Sequence, residues 1–382
     1  MHILIAPNAF KNSLDANSAA QAIRKGLEES NLSCTCSCFP VGDGGDGTAA
    51  LLLQRLGGRI LPVSVHDPLG RKIDSRLGLI DKDKTGVIEL ADASGLRLLK
   101  SGEYNPLRSD TYGVGELMKC ALDLKVGKII LCVGGSATVD GGGGMLKALG
   151  LKFLSPEQGQ LEYIPSGFTD LASIDTSTLD SRILETELIV LCDVNNKLLG
   201  KDGAAAIFGP QKGATVEEVR ELETCLQRFR DIALEKTGRD MAVMKYGGAA
   251  GGTAAGLSVF LDARLINGID YFLEITGFDA ALEESDLVIT GEGSIDSQTL
   301  QGKGPFGVAV KAKEKNIPVI GLSGSLDPDE HKLLHQYFDA LVSINDEGVE
   351  LSKALENTSI NLTRTARALG DFLQSGNRSF IN

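Results

Sequence analysis

The stretch Phe39-Pro40-Val41-Gly42-Asp43-Gly44-Gly45-Asp46-Gly47-Thr48-Ala49-Ala50-Leu51-Leu52-Leu53 decides the fold. A strand ends near Val41, a glycine-rich turn follows, and the residues from Thr48 to Leu56 read as a helix closed by Gly57-Gly58. Strand, glycine turn and helix in succession are the building unit of a parallel α/β sheet. The same style recurs at Gly134-Gly135-Ser136-Ala137-Thr138-Val139-Asp140-Gly141 and at Thr290-Gly291-Glu292-Gly293-Ser294-Ile295-Asp296. Glycine lets backbone amides come close to an anion, and the following helix adds its positive end. The acidic side chains in these turns would repel a bare polyphosphate, so a divalent cation, magnesium for phosphate chemistry, is implied between them.

Outward from that stretch, His2 to Ala6 reads as a strand, and Leu14, Ala19, Ala22, Ile23 and Leu27 as the inner face of a helix. Residues 286–290, 318–322 and 340–344 repeat the short-strand pattern near the other end of the chain. Between them the texture changes: residues 58–99 alternate as in antiparallel hairpins, and Lys128 to Val133 and Leu188 to Cys192 read as two further strands. Residues 155–181, polar and turn-rich, read as a surface excursion. The expected architecture is α/β: a discontinuous Rossmann-like parallel-sheet domain (1–66 and 285–382) with an inserted second, mixed α/β domain (67–284), and an active site in the interdomain cleft.

Composition narrows the function. The chain has 382 residues, a net charge of -13, no tryptophan and 46 glycines clustered in turns. The acidic balance argues against a nucleic-acid partner, and no run reaches the roughly 20 apolar residues of a membrane span. A cytoplasmic protein with reduced thiols is expected from seven scattered cysteines. Cys34, Cys36 and Cys38 read as strand packing, and His331 and His335, which lack the Glu of a zinc-binding His-Glu-x-x-His, as a solvated helix face. Gly42-x-Gly44-x-x-Gly47, with Asp67 about 20 residues on, formally matches a dinucleotide fingerprint, but Asp43 and Asp46 occupy its variable positions. No Gly-x-x-x-x-Gly-Lys-Ser/Thr is present. The loop from Gly134 to Gly144 reads as a nucleotide phosphate cradle or a tightly packed helix start, and Gly247 to Gly256 as a second nest or a small-residue helix. Asp193 closes a strand and is followed by Asn195 and Asn196, a fixed acid where α/β sites form.

The segments 6–14, 40–48, 134–142, 192–196 (Cys-Asp-Val-Asn-Asn), 208–214 (Phe-Gly-Pro-Gln-Lys-Gly-Ala) and 289–299 resemble the bacterial class I glycerate kinases, in family order over nearly the whole chain. The family more often has Asp-Ser-Phe-Lys-Gly-Ser where this chain has Asn8-Ala9-Phe10-Lys11-Asn12-Ser13, and often Glu where it has Asp46. The resemblance implies a two-domain kinase that phosphorylates D-glycerate from ATP with Mg2+, the 2-hydroxyl favoured. Asp193, Lys11, Glu292 and Asp296 are then the expected catalytic residues, with Asp193 and Glu292 as metal ligands. Gly134, Gly135, Ser136, Thr138, Asp140, Gly141 and Gly142 would cradle the nucleotide. Ser13, Asp43, Asp46, Asn195, Lys212 and Lys303 would bind substrate. An NAD-dependent hydroxy-acid dehydrogenase and a non-catalytic organic-acid sensor are the competing readings.

Overall fold

The computed structural model describes residues 1–296, 299, 302–326 and 331–375. Two compact units emerge: Met1–Asp43 with Ile269–Asn382, and Gly44–Gly268.

The first unit is built on a five-stranded sheet of β1 (His2–Ile5), β2 (Thr35–Cys38), β11 (Leu287–Ile295), β12 (Val319–Leu326) and β13 (Ala340–Ser343). Its order is β2-β1-β11-β12-β13, and every pairing is parallel. This is a doubly wound order whose direction reverses between β1 and β11, so the C-terminal ends of those strands form a switch point where ligands collect. β1 is a central strand: Ile3, Leu4 and Ile5 are wholly buried. The helix Ala16–Glu28 starts at Asp15, whose carboxylate accepts the Ser18 amide at 3.0 Å. It shares a core with the helix Thr358–Gln374 through Ala19, Ile23, Leu27, Leu362 and Ala366. A Cβ on Gly26 would lie 2.2 Å from the Thr363 carbonyl, so glycine there sets how closely the two helices approach.

The second unit carries a six-stranded sheet of β3 (Arg59–His66), β4 (Lys72–Ile80), β5 (Thr85–Glu89), β6 (Lys128–Cys132), β9 (Glu187–Cys192) and β10 (Arg264–Asn267). The order is β10-β9-β6-β5-β4-β3, with β5, β6, β9 and β10 parallel and β3 and β4 added as antiparallel strands. The chain divides between Asp43 and Gly44 and between Gly268 and Ile269. The sequence reading set its boundaries at 66/67 and 284/285, but β3 pairs with β4 along its whole length and therefore belongs with that sheet.

Two readings of the sequence change in this unit. Residues 155–181 are not a surface excursion: Ile164, Phe168, Leu171 and Ile174 are buried, and Phe168 stacks on Phe229 with ring centroids 4.7 Å apart. The segment contributes β8 (Ser173–Asp175), paired with β7 (Lys152–Leu154), and a 3-10 turn. Its apolar residues follow neither helical nor strand spacing, which hid them. The 247–256 run, left undecided, is packing. The Gly251 Cα sits so close to the 134–144 loop that a Cβ would lie 2.1 Å from the Thr138 carbonyl, and one on Gly256 would lie 2.0 Å from that of Gly141. The Gly141 amide donates to Gly251 O at 3.0 Å. Gly251→Ala adds a methyl at φ +67° against a backbone carbonyl. It is expected to cost on the order of 3 kcal/mol, read as a lowered urea midpoint at unchanged slope.

Candidate active site

In the first unit the functional side chains gather at the switch point. Asn8 follows β1 and its amide hydrogen bonds to Gly291 O at 2.8 Å, fixing the two strand ends side by side. The Asn8 side chain donates to Asp43 Oδ2 at 2.8 Å, and the same oxygen accepts the Gly304 amide at 3.2 Å. Gly304 opens the helix Gly304–Glu314, so Asp43 lies at a positive helix end. Glu292, near the end of β11, is buried, and burial pushes its carboxyl up to about 8 despite the positive charge of Lys303. Thr299 Oγ1 donates to Glu292 Oε1 at 2.9 Å and accepts the Asp296 amide at 3.1 Å, tying the two acids together. Lys11 is exposed, its amide 3.4 Å from where a Cβ on Gly293 would sit. Thus Asn8, Asp43, Glu292, Asp296 and Lys303 are brought together, with the Lys11 backbone beside β11. Ser13 is employed elsewhere: its hydroxyl donates to Leu355 O at 3.0 Å. Ser297 and Gln298 of the same motif lie outside the described residues.

In the second unit the parallel strands present Glu89, Gly134, Asp193 and Asn267 at or just beyond their C-terminal ends. Two glycine turns meet there. The Gly134 amide donates to Gly44 O at 3.0 Å, and a Cβ on Gly134 would lie 2.3 Å from the Gly45 Cα. Much of the glycine in these turns therefore serves backbone-to-backbone contact between loops.

The cradle expected at Gly134 to Gly144 is partly filled by the chain itself. Asp140 is wholly buried, and its carboxylate accepts the amides of Thr111 (2.9 Å), Gly142 (3.1 Å) and Gly144 (3.0 Å) and the Thr111 hydroxyl (2.7 Å). Burial raises its pKa, and these donors oppose the rise. Asp140 is a cap, and the amides of Gly141 and Gly142 are committed to Gly251 and Asp140. That corrects the expectation that these three groups meet a nucleotide. Ser136 and Thr138 instead face a cation. Lys212 Nζ, buried, donates to Ser136 Oγ at 2.8 Å and to Thr138 O at 2.6 Å. Burial lowers the Lys212 ammonium to about 7, against the pull of Asp140 and Asp193. Thr138 Oγ1 is buried without a hydrogen-bond partner among the described residues. Asp193, half-buried, directly follows β9; Asn195 two residues on is exposed.

Asp46, at the first glycine turn, forms an ion pair with Arg97, which also pairs with Asp92. Glu89 stands beside them. Sequence reasoning missed Glu89, Arg97 and Thr111; the one available signal was an acid ending the apolar run Gly86-Val87-Ile88. Asp67, the ribose acid of the dinucleotide reading, instead accepts the Leu69 and Arg71 amides and pairs with the Arg71 guanidinium at 2.6 Å. It is a turn residue.

Carboxylates and lysines collected at the C-terminal ends of parallel strands, beside glycine turns, define an α/β enzyme of the phosphotransferase kind. The profile of the glycerate kinase family matches residues 3–374. A glycerate kinase of Bacillus subtilis is 42% identical over 381 residues, covering 100% of both chains. Glycerate 2-kinase of Escherichia coli is 38% identical over 99% of this chain and 100% of its own. A crystal structure from Salmonella typhimurium LT2, provisionally named glycerate kinase 2, superposes with a TM-score of 0.81 at 40% identity over 99% of each chain. The chain belongs to the glycerate kinase family, and it is a kinase.

Proposed function

We propose that this enzyme transfers the γ-phosphoryl group of ATP to the 2-hydroxyl of D-glycerate, giving 2-phosphoglycerate and ADP. The observation that carries the reading is the buried Lys212 ammonium, held on the 134–138 turn and within electrostatic reach of Asp193 at the end of β9. A cation and an acid at the C-terminal edge of a sheet are what transfer of an anionic group to a hydroxyl requires. The name of the Escherichia coli relative supports the 2-position.

Asp193 accepts the proton of the attacking hydroxyl, because an alcohol is a poor nucleophile at neutral pH. Lys212 offsets charge on the transferred group. Lys11 and Lys303 provide further positive charge, and Asp43, Asp46 and Asn195 hold the hydroxyls of glycerate. The nucleotide takes the Gly135–Ser136 part of the turn, since the Gly134 amide is held by Gly44 O and those of Gly141 and Gly142 by Gly251 and Asp140. Among the described residues no three His, Cys, Asp or Glu side chains are grouped to hold an ion. Magnesium is commonly held by one or two carboxylates together with substrate phosphates, so Asp193 in the second unit or Glu292 in the first would each suffice to hold it without such a group. When bound, it neutralises phosphate oxygens. No described helix is long and apolar enough to cross a membrane.

An ADP-release assay with D-glycerate, L-glycerate, glycerol and no acceptor, followed by phosphorus NMR of the product, tests the reading. D-glycerate should be the fastest acceptor, with the phosphorus signal coupled to the proton on C2. A signal coupled to the C3 methylene protons would move the transfer to the other hydroxyl, and rates equal to those without acceptor would remove the assignment.

A further inference from the structure

We propose that Glu89, at the C-terminal end of β5, is the positioning residue for Asp46 and for the glycine turn that carries it. The inference rests on the reading that this turn binds glycerate.

The helix Thr48–Arg55 begins at Gly47 in a left-handed conformation (φ +93°), and Gly47 has no side chain with which to cap it. Glu89 does so from another strand. Its Oε1 accepts the Gly47 amide at 2.6 Å and its Oε2 the Ala49 amide at 3.2 Å. The side chain is 1% exposed, so its removal would leave the buried Ala49 amide and the partly buried Gly47 amide without their acceptor. The Glu89 and Asp46 carboxyls also face one another beside Arg97, which pairs with Asp46. Helix start and Asp46 are therefore fixed by one group.

The charges around that group are few. Asp46 comes from the turn, Asp92 from the helix Ala91–Ser94, Arg76 from β4 and Arg97 from the 3-10 turn Leu96–Leu98. Arg97 pairs with both Asp46 and Asp92, with Nη1 3.8 Å from Glu89 Oε1, and Arg76 Nε pairs with Asp92 at 2.6 Å. Two guanidinium groups balance two carboxylates. The third carboxyl, the most deeply buried of the three, keeps its proton, and that proton lets two acids stand side by side. Burial and then the Asp46 contact push Glu89 up to about 8, while Asp46, its own burial outweighed by Glu89 and Arg97, lies below the usual range. Glu89 thus acts as a neutral donor that holds Asp46 ionised and oriented. Above about pH 8 it loses the proton and repels its partner.

The test is steady-state kinetics of the full chain and of E89A, E89Q and D46N from pH 6 to 9, with thermal melts. In the parent the KM for glycerate should rise above pH 8. E89A should raise the KM for glycerate about 10-fold at pH 7 while the KM for ATP moves less than about twofold. E89Q, a permanent neutral donor, should recover most of that loss and show no rise above pH 8. Equal changes in both KM values alongside a lowered melting temperature, not recovered by E89Q, would reduce Glu89 to a structural cap and overturn the proposal. If E89A does not fold, E89Q decides alone: a KM that still rises above pH 8 overturns the proposal, and a flat one supports it. D46N separates the two layers. An unchanged glycerate KM in D46N overturns the reading of the turn and this proposal with it, whereas an impaired D46N beside a neutral E89A overturns only the positioning role.

Discussion

The Asp193→Asn enzyme is expected to turn over about 10²- to 10⁴-fold more slowly than the parent at saturating ATP, magnesium and glycerate, with little change in the KM for glycerate. The substitution keeps the shape of the side chain at the end of β9 and removes only its capacity to take a proton. A KM effect would belong to a binding group; a kcat effect belongs to a group that acts as the hydroxyl loses its proton. Metal ligation gives a different signature: the magnesium requirement rises, and excess metal restores part of the rate. Near-parental kcat under saturation would sink both roles and turn attention to Glu292 and Asp296, which Thr299 holds together in the first unit.

Lys212→Met is expected to lower kcat about 10²- to 10³-fold, the usual effect of removing one preorganised stabiliser of transition-state charge. It should also change how stability depends on pH. The ammonium is lowered to about 7 in the folded chain, by burial first, from an ordinary value of 10.5. Between those values the unfolded chain holds a proton that the folded chain has released, so the stability of the parent rises with pH across that window. The burial penalty is in full force below pH 7 and fades towards pH 10.5. Methionine titrates nowhere. From pH 7 to 8.5 the parent should therefore gain about 2 kcal/mol relative to Lys212→Met in urea unfolding. Parallel pH profiles for the two proteins would show that Lys212 is not depressed.

Much of the fold was legible because its signals are local. Apolar runs ending in turn residues mark β1 at Pro7, β9 at Asp193 to Asn196, and β6 and β11 at their glycine turns, and alternation marks β3, β4 and β5. The boundary after Asp43 was not, since it depends on β3 pairing with β4 and nothing inside β3 announces its partner. The site divides along the same line. Asp193, Lys212, Glu292 and Asp43 stand in motifs or at strand ends, whereas Glu89, Arg97 and Thr111 act through partners 42, 51 and 29 positions away. Asp140 misled for a related reason. An acid inside a glycine turn at a helix start looks like a neighbour of a bound anion; here it is the anion, and the helix it serves is its own. Glycine counts mislead likewise, because a residue without a side chain is required equally by a phosphate and by another loop, as at Gly134 and Gly251.

The pairing of β1 with β11 has a consequence for how the chain is made. Ile3, Leu4 and Ile5 stand opposite Leu287, Val288 and Ile289, so β1, once it leaves the ribosome, waits for a neighbour synthesised after the whole of 44–268. At about 5–20 residues per second that interval is roughly 15–60 s. The interposed unit is contiguous and has its own sheet and core, so it can complete itself during translation. Throughout that time an apolar N-terminal strand has only β2 beside it, and one of its edges is unpaired. Protection of the nascent chain over that interval should therefore matter to yield. Slowing elongation should lower the recovery of active enzyme, and co-expressed chaperones should restore it.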